Sequence, residues 1–286
     1  MKGRGYDSYN FEEAYNVQLE RLAEAEQERR LSANQCNRLY RTKTTTAGKM
    51  VEVDIYPVFA DKAQAPRGEK KKRSRPAQLN LNDRRAKRYL NNLISANFGE
   101  GDLWGTFEYD ADHLPESPED AQKKMQGFIR KVNRIRKKRG QGNLKYIYVT
   151  EYADGPEKKI RVHHHMIFSG DCDRDEIEAL WKYGKRTKTE RLAPDKDTHL
   201  AGLAMYIMKD PHGRKRWSAS RGLKKPKETK SYTKFRKRKV EHMAKDRVFL
   251  EEEIRKQYPG CRFVDAEVRV SAVADGFYIY ARMVRD

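Results

Sequence analysis

The run "RVHHHMIFSG" (161–170) constrains this chain more than any other stretch. In an extended strand, side chains alternate between two faces. Val162, His164, Met166 and Phe168 then share one face, and His163, His165 and Ile167 share the other. The first face is apolar apart from one imidazole, so something must cover it. An amphipathic helix is available at 117–140. Ser117 suits an N-cap, Pro118 the first helical position, and Glu119 and Asp120 the positive end of the helix. Ala121, Met125, Phe128, Ile129, Val132 and Ile135 form one apolar stripe, and Gly140 ends the helix. A half-covered strand beside such a helix predicts an α+β fold, with a central, mostly antiparallel sheet and helices on one or both faces.

Other segments extend that pattern. Strands are predicted at 49–59 (stopped by Pro57), at 103–110, and at 144–152 and 159–170 as a hairpin turning at Gly155-Pro156. A C-terminal hairpin turns at Asp275-Gly276. Helices are predicted over 81–98 with Asn82 as N-cap, over 173–183 with Asp173 as cap and Gly184 as stop, and over 197–210 before Pro211. Residues 10–31 read as a solvated helix or a disordered arm. The chain therefore divides into an N-terminal helical and basic arm with one strand (1–75), a core domain (76–225), and a basic segment with the C-terminal hairpin (226–286).

Charge narrows the partners. Sixty-two Lys and Arg against 42 Asp and Glu leave a formal charge of +20, which draws in polyanions, nucleic acid first among them. Arg221, Lys224, Lys225, Lys234, Arg236, Lys237, Arg238 and Lys239 crowd one stretch, with Tyr232 and Phe235 interleaved. Cations there suit phosphates and the two rings suit unpaired bases; a solvated tether has the same composition. Three scattered cysteines with no C-x-x-C pair argue against a zinc ribbon or disulfide scaffold and for a reducing compartment. Without an apolar leader or a run of about 20 apolar residues, the expectation is a cytoplasmic protein with no membrane partner.

The imidazole face suggests metal chemistry. His163 and His165 stand about 6.6 Å apart along a strand, and Glu151 on the preceding strand falls near His163 if the hairpin forms. Two imidazoles and a carboxylate leave positions open for substrate oxygens and suit Mn²⁺ or Mg²⁺, although Zn²⁺ would bind as well. A satisfied histidine cluster without metal fits the same residues. His164 points into the apolar face, so His164→Phe should be tolerated. Tyr206 and Lys209, three apart on a predicted helix, share a face as nucleophile and cation; Tyr206 packing with Leu203 and Ile207 is the other reading.

Taken together, "LWGTFEYD", the histidine strand and "YIMK" on a later helix resemble the HUH endonuclease superfamily. More narrowly they resemble the rolling-circle replication initiators of bacterial phages, plasmids and integrated elements. Asp210 stands where two-tyrosine members carry a second tyrosine, so the resemblance is to the single-tyrosine type. It implies an HUH-like nuclease domain over about 76–225, with metal on His163, His165 and Glu151. It implies that Tyr206, helped by Lys209, nicks and rejoins single-stranded or hairpin DNA at an origin through a 5′-phosphotyrosine. The chain has no G-x-x-x-x-G-K-[ST] loop, so unwinding and synthesis would fall to a host helicase and polymerase in the bacterial cytoplasm. Rival expectations are a transposase or relaxase of the same superfamily, and a non-catalytic basic nucleic-acid-binding protein.

Overall fold

A computed structural model of the chain describes residues 14–33, 39–58, 76–151, 162–185, 187–207, 217–271 and 274–285, with the backbone alone for 76–83. In chain order the strands are β1 (Val17–Gln18), β2 (Tyr40–Ala47), β3 (Met50–Pro57), β4 (Leu103–Glu108), β5 (Tyr146–Glu151), β6 (His163–Phe168), β7 (Lys188–Arg191), β8 (Ser218–Ala219), β9 (Lys227–Ser231), β10 (Cys261–Val270) and β11 (Tyr278–Arg285). The helices are α1 (Glu24–Ala33), α2 (Pro76–Asn97), α3 (Pro118–Lys138), α4 (Arg174–Leu180), α5 (Ala201–Ile207), α6 (Lys237–Lys245) and α7 (Arg247–Gln257). The expected α+β class holds, with antiparallel pairing throughout these strands. There are two sheets rather than one. They lie in two compact units, Met1–Arg88 with Pro226–Asp286, and Tyr89–Lys225.

The second unit carries the five-stranded sheet, in the order β7-β4-β6-β5-β8. Phe107, Tyr148, Met166 and Phe168 point from one face into a core with Met125, Phe128, Ile129 and Val132 of α3 and Ile177 of α4. Burying side chains of this size contributes roughly 1.5–3 kcal/mol each. The helix starts as its sequence predicts: the Ser117 hydroxyl accepts from the Asp120 N–H at 3.1 Å, and Asp173 accepts from the Glu176 N–H at 2.9 Å on α4. The basic end of α3 is not wholly solvated. Arg136 is buried and donates to both Asp171 carboxylate oxygens, at 2.9 and 2.8 Å. Gly184 is not a helix stop, because α4 already ends at Leu180. A Cβ there would lie 2.3 Å from the Glu108 carbonyl oxygen, so the close pass of that loop along β4 requires glycine.

The first unit carries six strands in the order β1-β10-β11-β3-β2-β9. Val51, Val53 and Ile55 of β3 and Ile279, Ala281 and Met283 of β11 share a core with Val240 and Met243 of α6 and Leu250 and Ile254 of α7. Several expectations are corrected here. Residues 10–31 are not one helix: Val17–Gln18 pairs with β10, and α1 begins only at Glu24. The arm holds a second long strand, β2, which pairs with β3 from Tyr40 to Ala47. Its threonines are β-branched and suited to a strand, but the run lacks the apolar alternation that marks one. Helix α2 begins at Pro76, so Asn82 is an interior residue and not its cap. The solvated-tether reading of the basic segment also fails, because β9 pairs with β2 and the chain continues into α6.

The face of this sheet opposite its core is built on charge. Glu52 and Asp54 of β3 are 2% and 1% exposed. Arg88 reaches both, at 2.7 Å to Glu52 and at 2.8 and 2.9 Å to the two oxygens of Asp54. Tyr280 donates to Glu52 at 2.8 Å, Tyr278 donates to Asp54, and Arg88 lies over the Tyr280 ring. Burial alone would raise the Asp54 pKa, but the charges of Arg88 and Lys43 and bonds from Arg88 and Tyr278 hold it at about 2. Removing Arg88 would strand two buried carboxylates, which costs about 3–5 kcal/mol. Arg88→Ala is therefore expected to lower the urea midpoint sharply. Since the folded pKa of Asp54 lies below its usual 3.8, its contribution is present above that pH and is lost as pH falls through 2. Denaturation between pH 2 and 6 should show that loss in the wild type and a flatter profile in Asp54→Asn.

Candidate metal centre and its tyrosine

Strand β6 lies between β4 and β5, and the register decides what meets on its open face. Glu151 pairs with His163, Val149 with His165, and Thr106 of β4 with the other side of His165. Directly paired residues share a face, so Glu151, His163 and His165 converge as the alternation predicts. A Glu151 oxygen lies 3.3 Å from His163 Nε2 and the other lies 3.6 Å from His165 Nε2. The two Nε2 atoms are 3.0 Å apart. One ligand atom from each residue falls within 4.8 Å of the others, a group that could hold a metal ion.

The donor set fits such an ion. Thr106 Oγ1 is 3.2 Å from His165 Nδ1. With the proton on Nδ1 and donated to that hydroxyl, the Nε2 lone pair faces Glu151 and His163, the arrangement a metal-binding imidazole needs. The Trp104 ring stacks on His165 at 4.9 Å and 14° and fixes the plane of the imidazole. Burial, reinforced by the charge of His163, lowers the His165 pKa to about 4. The ring is thus neutral near pH 7, as a ligand must be.

Tyr206 stands beside this face. Its ring meets His165 edge-on at 5.2 Å and Trp104 at 6.0 Å. It is 55% exposed, while Ala204 and Ile207 of the same helix are buried. The packed-core alternative for this tyrosine does not hold. Lys209 lies outside the described residues.

His164 points the other way, as expected, but it is not a passive filler of the apolar face. It is fully buried, with Nε2 at 2.6 Å from the Tyr109 hydroxyl and Nδ1 at 2.8 Å from the Thr150 hydroxyl. Burial first, and then the charges of His163 and His165, lower its pKa to about 3. The expectation that phenylalanine is tolerated there is corrected, since it would leave the Tyr109 and Thr150 hydroxyls without their partner.

The basic candidates separate into groups. Arg221, Lys224 and Lys225 are exposed in a loop after β8. Asn97 pins that loop by accepting from the Lys224 N–H at 2.7 Å and donating to its carbonyl at 2.8 Å. In the first unit, Arg236 and Arg238 are exposed, Lys237 lies 3.8 Å from Glu241, and Lys239 lies 2.6 Å from Glu253. Tyr232 is 40% exposed and accepts a hydrogen bond from Arg41. Lys234 rests over the Tyr258 ring at 4.0 Å. Phe235 is fully buried in the core with Val240 and Ile254, so it cannot stack on bases. It supplies the apolar anchor that a basic segment needs in order to fold.

Trp104, Thr106 and Tyr109 were not among the residues anticipated from sequence. All three lie in or next to "LWGTFEYD", and their alternation is visible. That β4 would flank the histidine strand is not.

A two-histidine, one-carboxylate face with an exposed tyrosine beside it defines a class of metal-capable, tyrosine-bearing sites. Residues 102–211, wholly inside the second unit, match the family described as Replication-associated protein ORF2. The match spans all three motifs and supports a Rep-type replication initiator, which ties the chain to DNA replication. No curated protein and no solved structure matches. Among the described residues, no helix is long and apolar enough to cross a membrane.

The buried Tyr109–His164–Thr150 chain generates a direct test. His164→Phe should cost about 1–3 kcal/mol by leaving buried hydroxyls unpaired. Adding Tyr109→Phe should recover part of that loss. Thermal denaturation of the two variants compares them, and metal affinity, read by calorimetry, should fall in neither.

Proposed function

We propose that the protein is a DNA-nicking and strand-joining initiator of rolling-circle replication. The observation that carries this reading is the exposed phenol of Tyr206 beside the Glu151–His163–His165 face. Tyr206 Oη attacks the phosphorus of a phosphodiester at the origin. The bond from phosphorus to the 3′ oxygen breaks, that oxygen takes a proton and leaves as a free 3′-OH, and the phosphate stays on Tyr206 as a 5′-phosphotyrosine. In the joining step a 3′-OH attacks that phosphotyrosine and releases the phenol, so no nucleotide triphosphate is consumed. Glu151, His163 and His165 would hold Mn²⁺ or Mg²⁺, which supplies positive charge to a non-bridging phosphate oxygen. Lys209 favours the phenolate or steadies the phosphate.

The substrate is single-stranded or hairpin DNA at a replication origin. Host helicase and polymerase unwind and extend it in the bacterial cytoplasm. Arg221, Lys224, Lys225, Arg236, Lys237, Arg238 and Lys239 contact backbone phosphates, with Lys234 and Tyr232 alongside them. The start of α6 supports this assignment. Lys237 and Arg238 sit in its first turn, against the helix dipole. A phosphate near that turn offsets the unfavourable charge.

Tyr206→Phe should retain its fold and its DNA affinity while cleavage disappears. On a denaturing gel with an origin strand and Mn²⁺, the wild type should show a covalent protein–DNA band, and peptide mapping should place the nucleotide on the fragment containing "LAMYIMK". An adduct on Tyr183 or Tyr232, or cutting by the phenylalanine variant, sinks the assignment. No adduct with any metal would leave a non-catalytic DNA-binding protein.

His163→Ala, His165→Ala and Glu151→Ala are each expected to abolish the adduct and weaken metal binding, with circular dichroism unchanged. Neutralising Arg236, Lys237, Arg238 and Lys239 together should weaken binding equally for any sequence and flatten the dependence of log K on log salt. An unchanged salt slope would remove this segment from the DNA interface.

A further inference from the structure

Two aromatic side chains of the second unit have no part in the chemistry above. Tyr89 of α2 and Trp217, one residue before β8, stack on each other at 6.4 Å and 29°. Tyr89 is nevertheless 44% exposed, and Trp217 is half-buried. Two large rings held parallel and left open to solvent bury little, so their packing alone does not explain the arrangement.

Their position is informative. Strand β8 pairs with β5 through Ile147↔Ala219 and Tyr148↔Ser218. Continuing that register by one residue sets Trp217 opposite Val149, which in turn pairs with His165. Val149 and His165 share the face that carries Glu151 and His163, so Trp217 joins that face two strands away, about 10 Å across the sheet. The chain then runs from β8 directly into exposed Arg221, Lys224 and Lys225. Asn97, at the end of the same helix that carries Tyr89, holds this loop in place. A rigid aromatic pair, a fixed basic loop and the metal-capable residues thus belong to one unit.

We propose that Tyr89 and Trp217 form a stacking platform for unpaired bases of the DNA strand, with Arg221, Lys224 and Lys225 on its phosphates. Every base offers a π-face, so such a platform accepts single-stranded DNA of any sequence. A duplex keeps its bases stacked internally and cannot use it. The platform rests on the nicking reading for its purpose, which is to hold the unpaired nucleotides that flank the bond to be cut. Its existence is testable without cutting.

The test uses the full chain in EDTA, where no cleavage occurs, with a labelled deoxythymidine oligonucleotide and a blunt duplex of equal length. Fluorescence anisotropy should show Trp217→Ala and Tyr89→Ala each weakening the oligonucleotide by about tenfold, a modest value for one stacked base. Trp217→Phe keeps a flat ring and should stay within about twofold of wild type on the same grounds. Duplex affinity should not move, and neither should the salt slope, because stacking releases no counterions. Equal losses on oligonucleotide and duplex, or full oligonucleotide affinity in both alanine variants, would overturn the platform. If Trp217→Ala fails to fold, the surface variant Tyr89→Ala decides the question. An absent covalent adduct in the wild type would defeat the nicking reading and leave this measurement standing.

Discussion

Strand β6 is asked to satisfy two solvents at once, and the second unit is organised around that demand. One face must be dry, so Met166 and Phe168 lie against α3 with Met125, Phe128 and Ile129. The other must stay polar and open, so His163 and His165 meet Glu151 there. A one-residue slip in the pairing of β5 with β6 would exchange the faces and put the imidazoles into the core. The register therefore supports core and site together, and neither can be altered alone.

His164 shows how tightly the two faces are joined. Between two candidate ligands, it is the only polar group that β6 sends into the dry side, and Tyr109 and Thr150 answer both of its nitrogens. Its neutral, fully bonded ring ties β6 to both of its neighbours from beneath the metal face. Above, Trp104 and Thr106 hold His165 from β4. The candidate ligands are thus braced from both sides of the sheet, which is what a site needs to keep its geometry under substrate.

The first unit solves a different problem with a different material. Its sheet buries apolar side chains on one face and a bonded charge cluster on the other, where Arg88 neutralises Glu52 and Asp54. Such a cluster adds little net stability but is costly to break. The basic segment that looks like a tether folds because Phe235, Val240 and Met243 anchor it in the apolar core. Its cations remain outside, where a polyanion can reach them.

The local pattern alone determined the α+β class, the caps of α3 and α4, the C-terminal hairpin and the shared face of His163 and His165. Each follows from the 3.6- or 2-residue period, or from a capping residue, and needs only neighbours in the chain. Glu151 was reachable because one short hairpin joins it to the histidines. The polar strand β2 was not, since threonine alternation carries no apolar signal and only pairing with β3 reveals it. Nor could the chain announce that β4 lies beside β6, bringing Trp104 and Thr106 onto His165 from about sixty residues away. The exposure of Tyr206 and the burial of Phe235 were likewise tertiary decisions. An aromatic ring on a short helix or in a basic stretch carries the same local signature whether it faces a core or a strand of DNA, and only the elements packed around it decide which.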